Sequence, residues 1–134
     1  RKDRVDDALS ATQAASEEGI VSGGGTCLLR AAHKVDIEEF GTDSRAGARA
    51  LVAACSAPIK KIVENAGGSP ELVMSKVLEH DSDFVGYDAI SEKYCDMFDS
   101  GIIDPVKVTR SALENAVSAA CTLLSVGCAM IVDE

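Results

Sequence analysis

The sequence has no tryptophan, and its aromatic residues are three Phe and two Tyr in 134 positions. Stacking platforms for bases are therefore scarce. Positive charge is also short: 13 Lys and Arg stand against 22 Asp and Glu, a formal charge of −9. Such a balance repels phosphate backbones, so no nucleic-acid partner is expected. There are two histidines, His33 and His80, and no CxxC pair among Cys27, Cys55, Cys95, Cys121 and Cys128. A zinc site has little material here, and the odd thiol count reads as reduced, mostly buried cysteines acting as small hydrophobes. No signal-peptide pattern opens the chain. Its first residue is not Met, as expected of a cut piece or a processed product. Asn115 to Val132 is 18 residues without a charge, close to the lower limit for a bilayer span. It carries Asn115, Ser118, Thr122, Ser125 and Gly127 and is flanked by Asp133-Glu134 rather than by Lys or Arg. It reads as a buried helix followed by a buried strand, with no membrane partner.

What is present is globular: 46% hydrophobic and 26% charged, of single-domain length. Val5, Ala8, Leu9, Thr12 and Ala15 recur at helical spacing, so residues 3–18 read as one amphipathic helix stopped by Gly19. After Gly23-Gly24-Gly25, Thr26 is placed to cap a short helix over 26–34. Residues 35–44 read as a loop and 46–57 as an alanine-rich helix. Pro58 opens a helix to Asn65, and Ser69-Pro70 opens another that ends near Leu78. Residues 79–104 differ in kind, with eight acids and one base, Lys93. Within them 84–87 and 94–97 read as short strands and Ile102-Ile103 as a third. A long apolar-faced helix over 105–125 follows, built on Ala112, Leu113, Ala116, Val117, Ala120, Cys121 and Leu124. Cys128 to Val132 then reads as a terminal strand.

Four constellations carry chemistry. The triple glycine removes every Cβ and frees the backbone for positive φ ahead of a helix N-terminus, which on its own reads first as a tight packing turn and second as a nucleotide-contact loop. It is no Walker loop, since no Gly-Lys-Ser/Thr follows. Asp104 before Pro105 reads as an N-cap worth about 1 kcal/mol or as a carboxylate for a ribose hydroxyl pair. Asp6 and Asp7 suit the first turn of a helix dipole, and a lone carboxylate there is also able to orient a water for attack on phosphate. Asp81 to Glu92 aligns with a calcium loop through Asp81, Asp83, Gly86 and Glu92. Val85 at position five and Asp88 at position eight break the pattern, and the stretch reads as an acidic strand–turn region.

Taken together, the strings Arg4-Val5-Asp6-Asp7-Ala8-Leu9, Glu17-Glu18-Gly19-Ile20-Val21-Ser22-Gly23-Gly24-Gly25, Ala57-Pro58, Gly86-Tyr87-Asp88-Ala89 and Gly101-Ile102-Ile103-Asp104-Pro105-Val106-Lys107-Val108-Thr109-Arg110-Ser111-Ala112-Leu113 resemble the group I chaperonins, the GroEL family. The resemblance runs almost end to end and implies a mainly α fold: the C-terminal half of the equatorial-domain helical bundle with a few short β-strands. Residues 1–17 would be an intermediate-domain helix and 18–134 the second half of the equatorial ATP-binding domain. It implies an ATP-hydrolysing subunit using Mg2+ and K+, assembled with identical subunits into stacked seven-membered rings. Those rings enclose non-native protein clients under a co-chaperonin lid, in bacterial cytoplasm or in a mitochondrial or plastid matrix. Asp7 matches the carboxylate that positions the attacking water, Gly24 the ribose-side glycine, and Asp88, Ala89 and Ile90 the adenine-contact stretch. Asp104 matches the ribose carboxylate, and Ile62 and Ile102 the apolar walls near the base. Lys60, Ser69 and Leu72 fall on the segment used between rings.

The chain departs from the pattern at Asp88, where the family usually has Asn, at Ile90, which replaces a small residue, and at Ser69, which replaces an acid. The family's phosphate loop and metal ligands have no counterpart here, so the isolated chain is expected not to hydrolyse ATP and to expose apolar surface. Two other classes compete: a free-standing acidic helical module that binds partners without nucleotide, and a calcium-binding module through Asp81 to Glu92.

Overall fold

A computed structural model describes residues 2–132, with side chains through residue 126. The elements in order are α1 (Lys2–Glu18), β1 (Ile20–Ser22), α2 (Thr26–His33), a 3-10 turn (Ile37–Glu39), α3 (Thr42–Ala54), α4 (Ala57–Asn65), α5 (Pro70–Glu79), β2 (Val85–Asp88), β3 (Lys93–Asp96), β4 (Ile103–Pro105) and α6 (Val106–Val132). The fold is mainly α, with two small sheets, β1 with β4 and β2 with β3. The chain forms two compact units. One draws on the chain up to Ile20 and from Asp104 onward; the other is Val21–Ile103.

In the first unit α1 packs on α6. Gly19 ends α1 in the left-handed region, φ +88°, where glycine has no Cβ penalty. Its N–H donates to Ala15 O at 2.8 Å, and its carbonyl accepts from Val106 N at 3.0 Å. Two acids at a helix C-terminus oppose the dipole. Here Glu17 pairs with Lys107, and Glu18 Oε1 accepts from Arg110 Nη2 at 2.5 Å. The Lys107 ammonium holds the Glu17 carboxyl below the usual carboxylate range.

The second unit has the core: Leu29, Ile59, Val63, Val73, Val77 and Tyr87, with Met74, Leu78, Ala89 and Tyr94 packed against it. Full burial of Ile59, Val63 or Val77 contributes about 1.5–3 kcal/mol each relative to exposure. β2 and β3 form an antiparallel hairpin, Val85 opposite Asp96 and Tyr87 opposite Tyr94. The Asp81–Glu92 stretch thus builds a turn, β2 and a hairpin tip, the strand–turn reading. Among the described residues no three His, Cys, Asp or Glu side chains are grouped to hold a metal ion.

Several expectations are corrected. Cys128–Val132 is not a strand; α6 runs on through it, because a single Gly127 costs only about 1 kcal/mol in a helix and no proline breaks the run. The apolar surface of α6 exists but is uncovered: Leu123 and Leu124 are each 71% exposed, since α1 packs only on its first turns. No helix among the described residues is long and apolar enough to cross a membrane. On α1, Val5 and Leu9 face solvent, and the more sheltered positions are Ala11, Ala14 and Ala15. α3 begins at Thr42 rather than at 46, nucleated by Gly41, whose carbonyl accepts from Ser44 N at 2.9 Å and Arg45 N at 3.0 Å. Thr26 is not a cap; Gly25 takes the cap position in the left-handed region at φ +77°, and Thr26 turns inward.

Candidate functional site

The triple glycine is built against two backbones. Gly23 N–H donates to Ile102 O at 2.9 Å, and a Cβ on Gly23 would stand 3.0 Å from that oxygen. A Cβ on Gly25 would lie 2.7 Å from Ile59 N, at the start of α4. Gly24, at φ +63°, is the middle residue. A Cβ there would touch Met97 Cε at 3.2 Å, Tyr87 O at 3.6 Å and Ile102 Cγ2 at 3.9 Å. The Gly24 and Gly25 N–H groups meet no acceptor among the described residues, and they precede the N-terminus of α2. Consecutive free N–H groups at a helix start form a concavity suited to a polar or anionic group.

Three of the expected residues therefore come together: Gly24, Ile102 and, through the neighbouring Tyr87 carbonyl, the end of β2 at Asp88. Asp88 is already employed. Its Oδ1 accepts from Ile90 N at 2.9 Å, and its Oδ2 accepts from Ser91 Oγ at 2.6 Å. These bonds, led by Ser91, hold its carboxyl below the usual range. The carboxylate closes the hairpin tip, where Glu92 takes a positive φ of 55°. Ala89 turns toward the core, whereas Ile90 stands 97% exposed at the tip. Ile62 lies on α4, one residue triplet after Ile59, at the surface.

Asp7 and Asp104 belong to the first unit. Asp7 is exposed on α1. Asp104 lies in β4, and α6 starts only at Val106, so the N-cap role expected for Asp104 is not taken. Its side chain has no hydrogen-bond or ionic partner among the described residues. Partial loss of solvent pushes its carboxyl above the ordinary aspartate range. An open groove of about 530 Å³ runs between α1 and α6, lined by Ser10, Gln13, Glu17, Lys107, Ser111 and Asn115; none of the expected site residues lines it.

With this geometry in hand, comparison with known proteins is decisive. The family model described as TCP-1/cpn60 chaperonin family matches residues 1–133. The chain belongs to the TCP-1/cpn60 chaperonin family. A solved structure described as "Crystal structure of group III chaperonin in the open state" is 26% identical, with a TM-score of 0.76 over 84% of this chain. The match covers 24% of that chain, so the sequence spans about a quarter of the chaperonin it resembles. Mainly helical architecture with a few short strands is what a chaperonin equatorial-domain fragment has.

Sequence reasoning missed Arg30 and Met97 in this chaperonin chain and gave Thr26 the wrong role. Arg30 is 7% exposed on α2, and Thr26 and Met97 are fully buried beneath Gly86. A signal existed for Arg30: a lone cation inside Cys27-Leu28-Leu29-Arg30-Ala31-Ala32 has no solvent face to itself. Thr26 and Gly86 are 60 positions apart, and neither residue type announces the other.

Proposed function

We propose that this chain is part of an ATP-dependent group I chaperonin subunit, with residues 1–17 an intermediate-domain helix and 18–134 the second half of the equatorial domain. The observation that carries the reading is the convergence of Gly24, Ile102 and the end of β2 beside two free N–H groups. Asp104 supports it, being an unpartnered carboxylate suited to accept hydrogen bonds from a ribose hydroxyl pair. Ile62, Ala89, Ile90 and Ile102 would supply apolar contact for a purine, and Asp88 sets the tip that carries Ala89 and Ile90.

Bound nucleotide would bring the scissile phosphoanhydride. The part of Asp7 is to orient a water for in-line attack, a positioning role that makes up most of what a protein contributes to phosphoryl transfer. Mg2+ and K+ would be held mainly by ligands outside this chain. The uncovered apolar face of α6 fits packing by the remainder of a longer subunit. Identical subunits in seven-membered, stacked rings, a co-chaperonin lid and non-native clients follow from the same reading.

The test is a titration of the full-length subunit with a fluorescent ATP analogue, together with steady-state hydrolysis. Gly24→Val and Asp104→Ala should weaken binding. Asp7→Ala should keep binding and lose about 100-fold or more in turnover. A full-length protein that binds no nucleotide would return the chain to the class of acidic interaction modules.

A further inference from the structure

A guanidinium taken out of water needs an acceptor for its N–H groups. Arg30 finds its acceptors almost wholly on the main chain. Its Nε and Nη2 both donate to Val85 O, at 3.1 and 2.8 Å. Nη2 also donates to Val77 O at 2.7 Å, and Nη1 to His80 O at 3.2 Å. Asp83 Oδ1 stands 4.0 Å from Nη1. Val77 and His80 lie at the C-terminal end of α5, where helical carbonyls lack intrahelical donors. Val85 is the first residue of β2.

One turn earlier on the same face of α2, Thr26 lies against Gly86, where a Cβ would come within 2.3 Å of its Oγ1. Two residues of α2 at i and i+4 thus hold two consecutive residues of β2. Gly24 lies two residues before Thr26, and Asp88 two residues after Gly86. The register of α2 on β2 therefore sets the gap between the glycine loop and the strand end.

We infer that Arg30 is a positioning residue for the nucleotide site: its forked guanidinium fixes the glycine loop and the Asp88–Ile90 tip at the separation a nucleotide requires. The inference rests on the nucleotide reading above. Arg30 itself touches no ligand. Lysine does not replace it, because one ammonium on a flexible stem cannot serve three carbonyls with fixed directions.

The test uses the full-length subunit carrying this sequence, titrated with a fluorescent ATP analogue and assayed for hydrolysis. Arg30→Lys, checked for parental helix content by circular dichroism, should raise the Kd and KM for nucleotide about tenfold while kcat at saturation changes less than about twofold. Amide exchange should rise at residues 23–26 and 85–88 and stay parental in α1. A folded Arg30→Lys protein with lower melting temperature but parental KM overturns the inference, because a merely structural residue behaves so. If Arg30→Lys does not fold, Arg30→Gln, which keeps neutral donors near the same carbonyls, is read by the same criteria. Asp104→Ala separates the two failures. Weakened binding in Asp104→Ala with parental binding in Arg30→Lys sinks the positioning role alone; parental binding in both, or no binding by the parent, sinks the nucleotide site and the inference with it.

Discussion

Replacing Gly86 by alanine puts one methyl group into the tightest contact of the second unit. The new Cβ would lie 2.3 Å from Thr26 Oγ1, 2.6 Å from Met97 Cε and 2.9 Å from Met97 Cγ. Backbone strain does not enter, since Gly86 is not among the positive-φ glycines. Met97 Cε is the end of a flexible chain and yields readily. Thr26 is stiff at χ1 and fully buried at the start of α2, so it must rotate against its own helix or push α2 away from β2. Overpacking of this kind costs about 1–3 kcal/mol, offset by about 0.4–1 kcal/mol from the lower entropy of an unfolded chain with alanine. The net expectation is a loss of about 1–2 kcal/mol, which with a urea slope near 1–3 kcal/mol/M lowers the midpoint by about 0.5–1 M. Thr26→Ala removes the obstructing oxygen. Because Thr26 Oγ1 is buried without a hydrogen-bond partner, its removal alone should cost little. The double variant should then recover at least half of the loss, a coupling of about 1 kcal/mol between the two sites. Urea denaturation of the four proteins checks this. A parental midpoint for Gly86→Ala, or strictly additive effects, would refute the packing argument.

Gly25→Ala should destabilise more than Gly86→Ala: the left-handed φ of +77° adds about 1–2 kcal/mol, and the obstacle is the backbone of Ile59, which no side-chain truncation removes. A neutral Gly25→Ala in the same denaturation series would contradict it. Asp104 has its carboxyl raised by partial burial, so its charged form is disfavoured in the folded state at neutral pH. Asp104→Asn should therefore stabilise the fold at pH 7, with the gain fading as pH falls through the raised folded value and gone below the unfolded aspartate value, while nucleotide binding weakens; a loss of stability at pH 7 would reverse the sign and the argument. Glu17 is held low and Lys107 high by their pairing, so the contribution of Glu17 is lost as pH falls through its lowered folded pKa and that of Lys107 as pH rises through its raised one. Both groups are exposed, and amide exchange in the last turn of α1 should differ between the parent and Glu17→Gln at low salt but converge near about 1 M salt. Asp88→Asn keeps an acceptor for Ile90 N and adds an amide donor, so purine-nucleotide affinity of the full-length protein should rise; an unchanged Kd would remove base reading from this position.

Elements with local signals were legible. Gly19 stops α1, Pro58 and Pro70 sit in the first turns of α4 and α5, and the aromatic β-formers Tyr87 and Tyr94 mark the paired strands. What failed depended on partners far along the chain. Thr26 has the side chain of a cap, but Gly86 offers it a buried seat and Gly25 assumes the cap's place. Asp104 stands before a proline in the manner of a cap, yet Pro105 is drawn into β4 and the helix starts one residue later. The apolar stripe of α6 is legible as a stripe but its cover is not: among the described residues Leu123 and Leu124 stay exposed, because periodicity reports a face and never what packs on it.

The same lesson bears on the glycine loop, for which the sequence offers a packing turn or a ligand loop. The three glycines do different work. Gly23 lacks a Cβ so that its backbone can meet Ile102, and Gly25 so that its backbone can meet Ile59. These close approaches consume the side-chain faces of the loop and fix it rigidly. They leave the Gly24 and Gly25 N–H groups unspent, beside the Tyr87 carbonyl and the Ile102 side chain. A loop pinned so tightly on its protein side presents its remaining donors at fixed positions, which is what preorganised binding of a polar ligand requires. On the nucleotide reading proposed above, packing is the condition for the site, and the variants that loosen it, at Gly86 or Arg30, should be felt in binding before the fold is lost.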